Sequence, residues 1–395
     1  MGKEKICYWT ILFLISKMLY RIELYCFTFN DASYKSVLLI MTTYNNSASI
    51  SFDALSAFIA RAFVAVGIPA EDSTKIARLM SSADLQGSDG HGVIRLPQYV
   101  KRILAGGINK HPNIQAHSSA QAVAVVDGDN GMGHLVVSHA VELAIEKART
   151  QGVAWVGTRR SNHAGPASLY ATMPVKHDMI GLYFAVGNAN HLPPWGGMDM
   201  LLSTNPISAG IPAGKENPIV LDMATTVAAY GKVKAKAKAG QMMPEGWIID
   251  RQGHPLLDPK RSEEGFLLPI GGYKGYGLAL IVGILAGTLQ GAAMGKEVID
   301  FNKDHVTPTN TGQAILVLNL AAFGSVELFK EAIDTLVRDL KSSQRLPNVD
   351  RIWLPGEQSH ARRLDYAQHG IPIAAGVVKE LASLSRDLGI PALCD

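Results

Sequence analysis

Two histidines stand in short, glycine-containing segments where a side chain can reach a ligand. His163 lies in Ser161-Asn162-His163-Ala164-Gly165-Pro166. An apolar run at 153–157 reads as a buried strand before it, and 167–171 reads as a helix opening behind Pro166. An imidazole at such a junction sits on a rigid scaffold and can give or take a proton near neutral pH. The same position also suits a histidine that only hydrogen-bonds its own loop. His91 lies in Gly87-Ser88-Asp89-Gly90-His91-Gly92. Arg95 and Tyr99 come after it, at the spacing of one helix face, on a helix that Pro97 starts near Val93 or Ile94. A planar guanidinium flanked by phenol and imidazole donors suits a small carboxylate. A surface ion pair beside a capping loop would use the same residues. Lys274, in Gly271-Gly272-Tyr273-Lys274-Gly275-Tyr276-Gly277, precedes an apolar helix expected over 278–289. Backbone N–H groups at that start, with the ammonium, would attract an anion such as a pyrophosphate. The alternative is a solvated lysine in a glycine-rich connection.

The elements that must position these groups alternate in type. Strands are expected at 122–126, 153–157, 180–186, 207–211, 219–221 and 314–318. Loops rich in Gly, Pro and Asn separate them, which favours a mixed or antiparallel sheet. Helices are expected after Ser51 and Pro69, over 134–150, after Ser325 and over 374–388. The order strand, glycine turn, helix, strand over 122–157 has the outline of a dinucleotide-binding unit. Its glycines read G-x-x-G-x-G, however, and Thr158-Arg159-Arg160 stands where an acidic residue should close the second strand. The standard fingerprint is therefore absent, as are a phosphate-binding Walker sequence and a zinc spacing. Asp222 ends a strand, where it could accept from a ribose hydroxyl or act as an ordinary turn residue. Lys234, Lys236 and Lys238 alternate in a tract that fits a solvated face better than a ribose 2′-phosphate site.

Bulk composition narrows the class. The chain has 395 residues, of which 47% are hydrophobic and 18% charged, enough for a large core and more than one domain. A net charge of +3, with no basic cluster, excludes a nucleic-acid partner. Cysteines occur only at 7, 26 and 394, which excludes a cysteine nucleophile in the middle of the chain and favours a reducing, cytoplasmic setting. The apolar run 6–16 is too short to span a bilayer, so no membrane anchor is expected. Residues 1–40 do not resemble the rest of the chain and read as an upstream extension outside the fold.

Six segments then stand in register: Asp89 to Pro97, Ser161 to Gly165, Thr204-Asn205-Pro206, Asp222-Met223-Ala224-Thr225-Thr226, Gly272 to Gly277, and Leu354-Pro355-Gly356-Glu357. Together they resemble the type 2 malate/L-lactate dehydrogenase family, over roughly residues 50–390. That family also holds ureidoglycolate and sulfolactate dehydrogenases and reductases of cyclic imino acids. The resemblance implies an NAD- or NADP-dependent oxidoreductase of small 2-hydroxy or 2-oxo acids. Two alternatives are a reductase of a cyclic imino acid such as piperideine-2-carboxylate and a non-catalytic nucleotide-binding protein. It implies an α/β, non-Rossmann fold whose mostly antiparallel sheet binds the cofactor, with a second, helical domain and a homodimer. The division implied is an extension at 1–48, a substrate and dimerisation domain from 49–120 with 326–395, and a cofactor domain at 121–325. His163 would be the catalytic acid/base, and His91, Arg95 and Tyr99 would hold the substrate. Asn188, Asp222, Met223, Ala224, Lys274, Pro355, Gly356 and Glu357 would meet the nucleotide, and no metal is implied. Gly90 stands where many members place Ser before the loop histidine.

Overall fold

The computed structural model describes residues 47–394; the expected extension, with Cys7 and Cys26, lies outside them. The chain begins with β1 (Ser47–Ile50), α1 (Phe52–Ala65) and α2 (Ala70–Leu85), then a 3-10 turn (Val93–Arg95) that runs into α3 (Leu96–Leu104). Next come β2 (Gln115–Ala120), β3 (Val123–Asp127), α4 (Gly133–Gln151), β4 (Val153–Ser161), the single turn α5 (Ser168–Ala171), β5 (Met179–Ala185), β6 (Ile207–Ile211) and β7 (Ile219–Met223). Then come α6 (Tyr230–Lys238), β8 (Ile248–Asp250), β9 (Gly265–Leu267), α7 (Tyr273–Ala286) and β10 (Thr311–Asn319). The chain closes with α8 (Val326–Ser342), α9 (Glu357–His369), β11 (Ile371–Ala374) and α10 (Ala375–Leu388).

Seven strands form the main sheet, in the order β2-β3-β4-β10-β5-β6-β7. β3 and β4 run parallel, joined by α4 as crossover, and the other neighbouring pairs are antiparallel. The reason is visible in α4, whose Val136, Val137, Val141 and Ile145 recur at helical spacing and are buried. They pack with Ala154 and Val156 of β4 and with Ile315 and Val317 of the central strand β10.

A second core is helical. Ser51 caps α1 by accepting the Ala54 N–H at 3.2 Å. Leu55, Phe58, Ile59 and Phe63 then face Ile76 and Met80 of α2, Tyr99 and Ile103 of α3, and Leu381 of α10. Each such side chain, fully removed from water, contributes about 1.5–3 kcal/mol. β1 pairs with β11, so the two ends of the described chain close this layer together.

Several elements differ from expectation; β1, β2, α6, β8, β9 and β11 have no expected counterpart. α7 begins at Tyr273, not near 278, because the glycines that suggest a loop are helical: a Cβ on Gly275 would overlap the Ile270 carbonyl. α9 has no counterpart among the expected helices; its polar sequence hides it behind the Pro355-Gly356 turn.

Asn162 ties the sheet to the helical layer. Its amide donates to Gly131 O at 2.9 Å and Asn130 O at 3.1 Å, and its Oδ1 accepts from Thr309 Oγ1 at 3.1 Å, the first and last of these out of water. Asn162→Ala would leave the buried Gly131 carbonyl without a partner, while Asn130 O keeps the Asn109 N–H and Thr309 Oγ1 keeps Ser161 O, so it should cost about 1–3 kcal/mol in a urea melt; an unchanged midpoint would show that the knot carries no weight.

Candidate active site

His163 stands just past the end of β4, where Asn162 fixes the exit of the chain. α4 can start against this exit because residue 133 is glycine; a Cβ there would overlap the Asn162 carbonyl. The loop before α3 is fixed from below. Asp84, near the end of α2, accepts the Val93 N–H at 2.8 Å, and Gly92 lies so close to that carboxylate that no side chain fits. His91, Arg95 and Tyr99 are thereby presented toward the β4 exit.

The four residues singled out for substrate chemistry converge. Tyr99 Oη hydrogen-bonds His163 Nδ1, and His163 Nε2 lies 3.3 Å from His91 Nδ1, the two imidazoles stacked at 5.4 Å. Phe301 closes the cluster, 5.7 Å from both the Tyr99 and His163 rings. Arg95 donates through Nε to Gly90 O at 2.8 Å and through Nη1 to Asn302 Oδ1 at 3.2 Å. Its Nη2 has no protein partner among the described residues, and no carboxylate pairs with it there.

The electrostatics reflect that composition. Burial, then His91, Arg95 and His134, hold the His163 imidazolium well below its ordinary pKa. Burial and then Arg95 bring His91 down to about 4. His134, packed edge-on to Tyr99 and with neither ring nitrogen hydrogen-bonded, falls to about 3 for the same reason, burial first and then His91. Burial pushes the Tyr99 phenol up. The free site therefore holds neutral imidazoles, a protonated phenol and one unneutralised guanidinium.

The residues singled out for the nucleotide lie along β7 and α7. Asp222 accepts the Ser168 N–H at 2.9 Å, and Ser168 Oγ accepts from Gln86, which links this strand to the His91 loop. Pro355 O accepts the Val220 N–H at 3.1 Å, and Gly356, at φ 90°, packs against Val220 where a Cβ would crowd it. The Glu357 carboxylate is already taken, by Lys341 Nζ at 2.7 Å and the Leu354 N–H at 3.1 Å. Lys274, in the first turn of α7, is exposed and its ammonium has no partner among the described residues. The turn before it is tied to the residue after Ala224, through Ile270 N–H to Thr225 O at 3.0 Å. Asn188 lies on the other side, donating to Thr311 Oγ1 at 3.1 Å and accepting the Phe301 N–H at 2.9 Å. Met223 and Ala224 end the β7 edge without a side-chain hydrogen bond.

Sequence reasoning missed Phe301, Asn302 and His134. Phe301 and Asn302 sit in a loop with no motif, and their only signal is contact across the fold. His134 reads in the sequence as a plain helix-start residue. No group of three His, Cys, Asp or Glu among the described residues is placed to hold a metal ion, and no described helix is long and apolar enough to cross a membrane.

A family model described as malate/L-lactate dehydrogenase matches residues 50–382. The chain belongs to that family. A malate dehydrogenase of Pyrococcus horikoshii is 37% identical over 359 residues, covering 88% of this chain and 98% of the relative. The solved structure of the Pyrococcus horikoshii OT3 malate dehydrogenase superposes with a TM-score of 0.80 at 35% identity, covering 88% of this chain and 97% of that one. An L-sulfolactate dehydrogenase of Methanocaldococcus jannaschii is 35% identical over 324 residues, 82% of this chain and 92% of the relative. Other relatives are named ureidoglycolate dehydrogenase (NAD(+)) and a pyrroline- and piperideine-2-carboxylate reductase. The chain is thus an oxidoreductase of a dehydrogenase family that calls for a nicotinamide cofactor.

Burial raises the Asp84 carboxyl from 3.8 to about 8. A carboxyl whose folded pKa lies above its unfolded value favours the fold below the unfolded pKa, and that contribution is lost as pH rises through the folded one. The Asp84 contribution should therefore be lost between about pH 4 and pH 8, against the opposite contribution of the buried histidines, so the melting temperature of the native protein should fall over that range relative to that of Asp84→Asn. An equal slope in both would contradict the burial of the charge.

Proposed function

We propose that the chain is an NAD(P)-dependent dehydrogenase of small 2-hydroxy acids, of the malate and lactate type, with His163 as acid/base and His91, Arg95 and Tyr99 as the substrate clamp. The observation that carries this is a guanidinium with an edge unused and no carboxylate partner among the described residues, beside an imidazole whose two nitrogens meet Tyr99 and His91. The seven-strand sheet then serves as a non-Rossmann cofactor-binding domain, and the helical layer from both ends of the chain as the substrate and dimerisation domain. A homodimer in the cytoplasm agrees with the family resemblance and with the scarcity of cysteines.

The donor set fits a dinucleotide. An unpaired ammonium at the first turn of α7 and that helix's free N–H groups suit a pyrophosphate. Asp222, Met223 and Ala224 along β7, with Pro355 and Gly356 beside them and Glu357 bracing that turn, would line the rest, and Asn188 would reach it from the Phe301 side. Bound nicotinamide supplies or accepts the hydride. The residues of the chain do the rest. Arg95 offers Nη2 to the substrate carboxylate and fixes C2. Tyr99 accepts Nδ1–H of His163, and the substrate hydroxyl replaces the long contact of Nε2 with His91 Nδ1, so that the Nε2 lone pair takes the hydroxyl proton in oxidation. In reduction, the anionic substrate offsets the Arg95 charge, which lets Nε2 carry the proton it returns to the developing alkoxide. Phe301 keeps water from the imidazole.

His163→Gln should lower turnover by about 10²–10⁴-fold with little change in KM. Arg95→Ala should instead raise KM for the 2-hydroxy acid, read by absorbance of the reduced cofactor; small, equal losses in both variants would refute the roles. Lys274→Gln should weaken NADH binding about tenfold in a fluorescence titration, and unchanged affinity would take the pyrophosphate away from α7.

A further inference from the structure

Beyond Arg95 lies a second polar cavity of about 140 Å³, whose wall includes His191, Tyr230, Lys234, Asp300 and Asn302. It adjoins the site already described, because the Asn302 side chain that lines it also accepts from Arg95 Nη1 at 3.2 Å. Its carboxylates have partners of their own, although both Asp300 and Glu263 still act on Lys234 through space. Asp300 caps the Asn302 N–H at 2.9 Å, and Glu263 pairs with Lys303 at 3.3 Å. Lys234 is different. Among the described residues its ammonium has no ion pair or hydrogen bond and lies only over the Tyr230 ring, 5.4 Å from its centre, while Tyr230 stacks on His191 at 4.2 Å.

We infer that Lys234 determines specificity by receiving a second acidic group of the substrate, so that the enzyme prefers a dianionic 2-hydroxy acid to a monoanionic one. This rests on the reading that Arg95 holds the first carboxylate. Two cations separated by one amide side chain can be neutralised together by one molecule that carries two acids. A lysine ammonium, a compact point charge on a flexible stem, accepts carboxylate and sulfonate alike. Lys234 is exposed at the cavity mouth; partial burial and then Arg95 disfavour its charged form while Asp300 and Glu263 favour it, and a bound dianion would add to the second effect. In the sequence this lysine is only one of an alternating basic tract; on α6 it follows Val233, which is buried.

The test compares the ratio of kcat/KM for malate over lactate in the full-length protein, in Lys234→Gln and in Lys234→Arg, with NADH- and NADPH-linked assays side by side. The native protein should favour malate, Lys234→Gln should cut the ratio about tenfold or more, and Lys234→Arg should restore most of it. A ratio unchanged in Lys234→Gln overturns the inference. So does a loss that appears only as weaker NADPH use, which would make Lys234 a ribose 2′-phosphate contact. If the native protein oxidises neither acid with either cofactor, the dehydrogenase reading itself fails. Calorimetric binding of malate to the native protein and to Lys234→Gln still decides the subsite in that case, a weaker variant supporting it and equal affinity overturning it.

Discussion

His163 shares its two ring nitrogens between Tyr99 and His91, in a cluster with Arg95 and His134 where, among the described residues, no carboxylate pairs with any of them. Burial in that company disfavours the imidazolium, because each protonation would add a charge to a region that already carries one and has little water to screen it. The pocket is thereby short of one negative charge. In the proposed reading a substrate carboxylate would provide it, and its arrival would change the proton affinity of the imidazole that exchanges a proton with the neighbouring hydroxyl. Binding and chemistry are coupled through the same field.

Holding such a field in place requires rigid supports from distant parts of the chain. The 3-10 turn and α3 bring Arg95 and Tyr99, β4 delivers His163, and the loop before β10 brings Phe301 and Asn302. Three buried knots fix their relative positions: Asp84 under the His91 loop, Asn162 between β4 and the turn before α4, and Arg102, which donates to the carbonyls of Asp304 and Thr307 while stacking 4.9 Å over Phe301. Glycine is required where these supports meet, at 92 against Asp84 and at 133 against the Asn162 carbonyl. Gly90 is different. A Cβ there would meet nothing, so a serine would fit, and its backbone carbonyl is what orients Arg95.

Much of this is legible in the sequence. The caps at Ser51 and Ser325, the strand at 207–211 and the last helix obey local rules of capping and alternation, and they fall within a residue or two of the expected positions. Spacing foreshadows the convergence of His91, Arg95 and Tyr99. Their meeting with His163 is not foreshadowed, since it depends on packing between layers that no local pattern encodes. Glycine-rich residues 271–277 mislead because glycine signals a loop and close packing alike, and here Gly275 serves the second purpose within α7. Phe301, Asn302 and Lys234 have no local mark. Lys234 reads as one of a solvated tract and is exposed; what the tract does not show is that it lines a cavity shared with Asn302, the partner of Arg95.

Proton uptake on formation of the ternary complex with NADH and oxamate, a non-reducible mimic of a 2-oxo acid, tests the coupling most directly. Titration calorimetry in buffers of different ionisation enthalpy reads it across about pH 5 to 8. Neutralisation of the Arg95 field predicts net uptake of a proton fraction near neutrality, lost in His163→Gln. Binding without uptake anywhere in that range, or uptake undiminished in the variant, would contradict it.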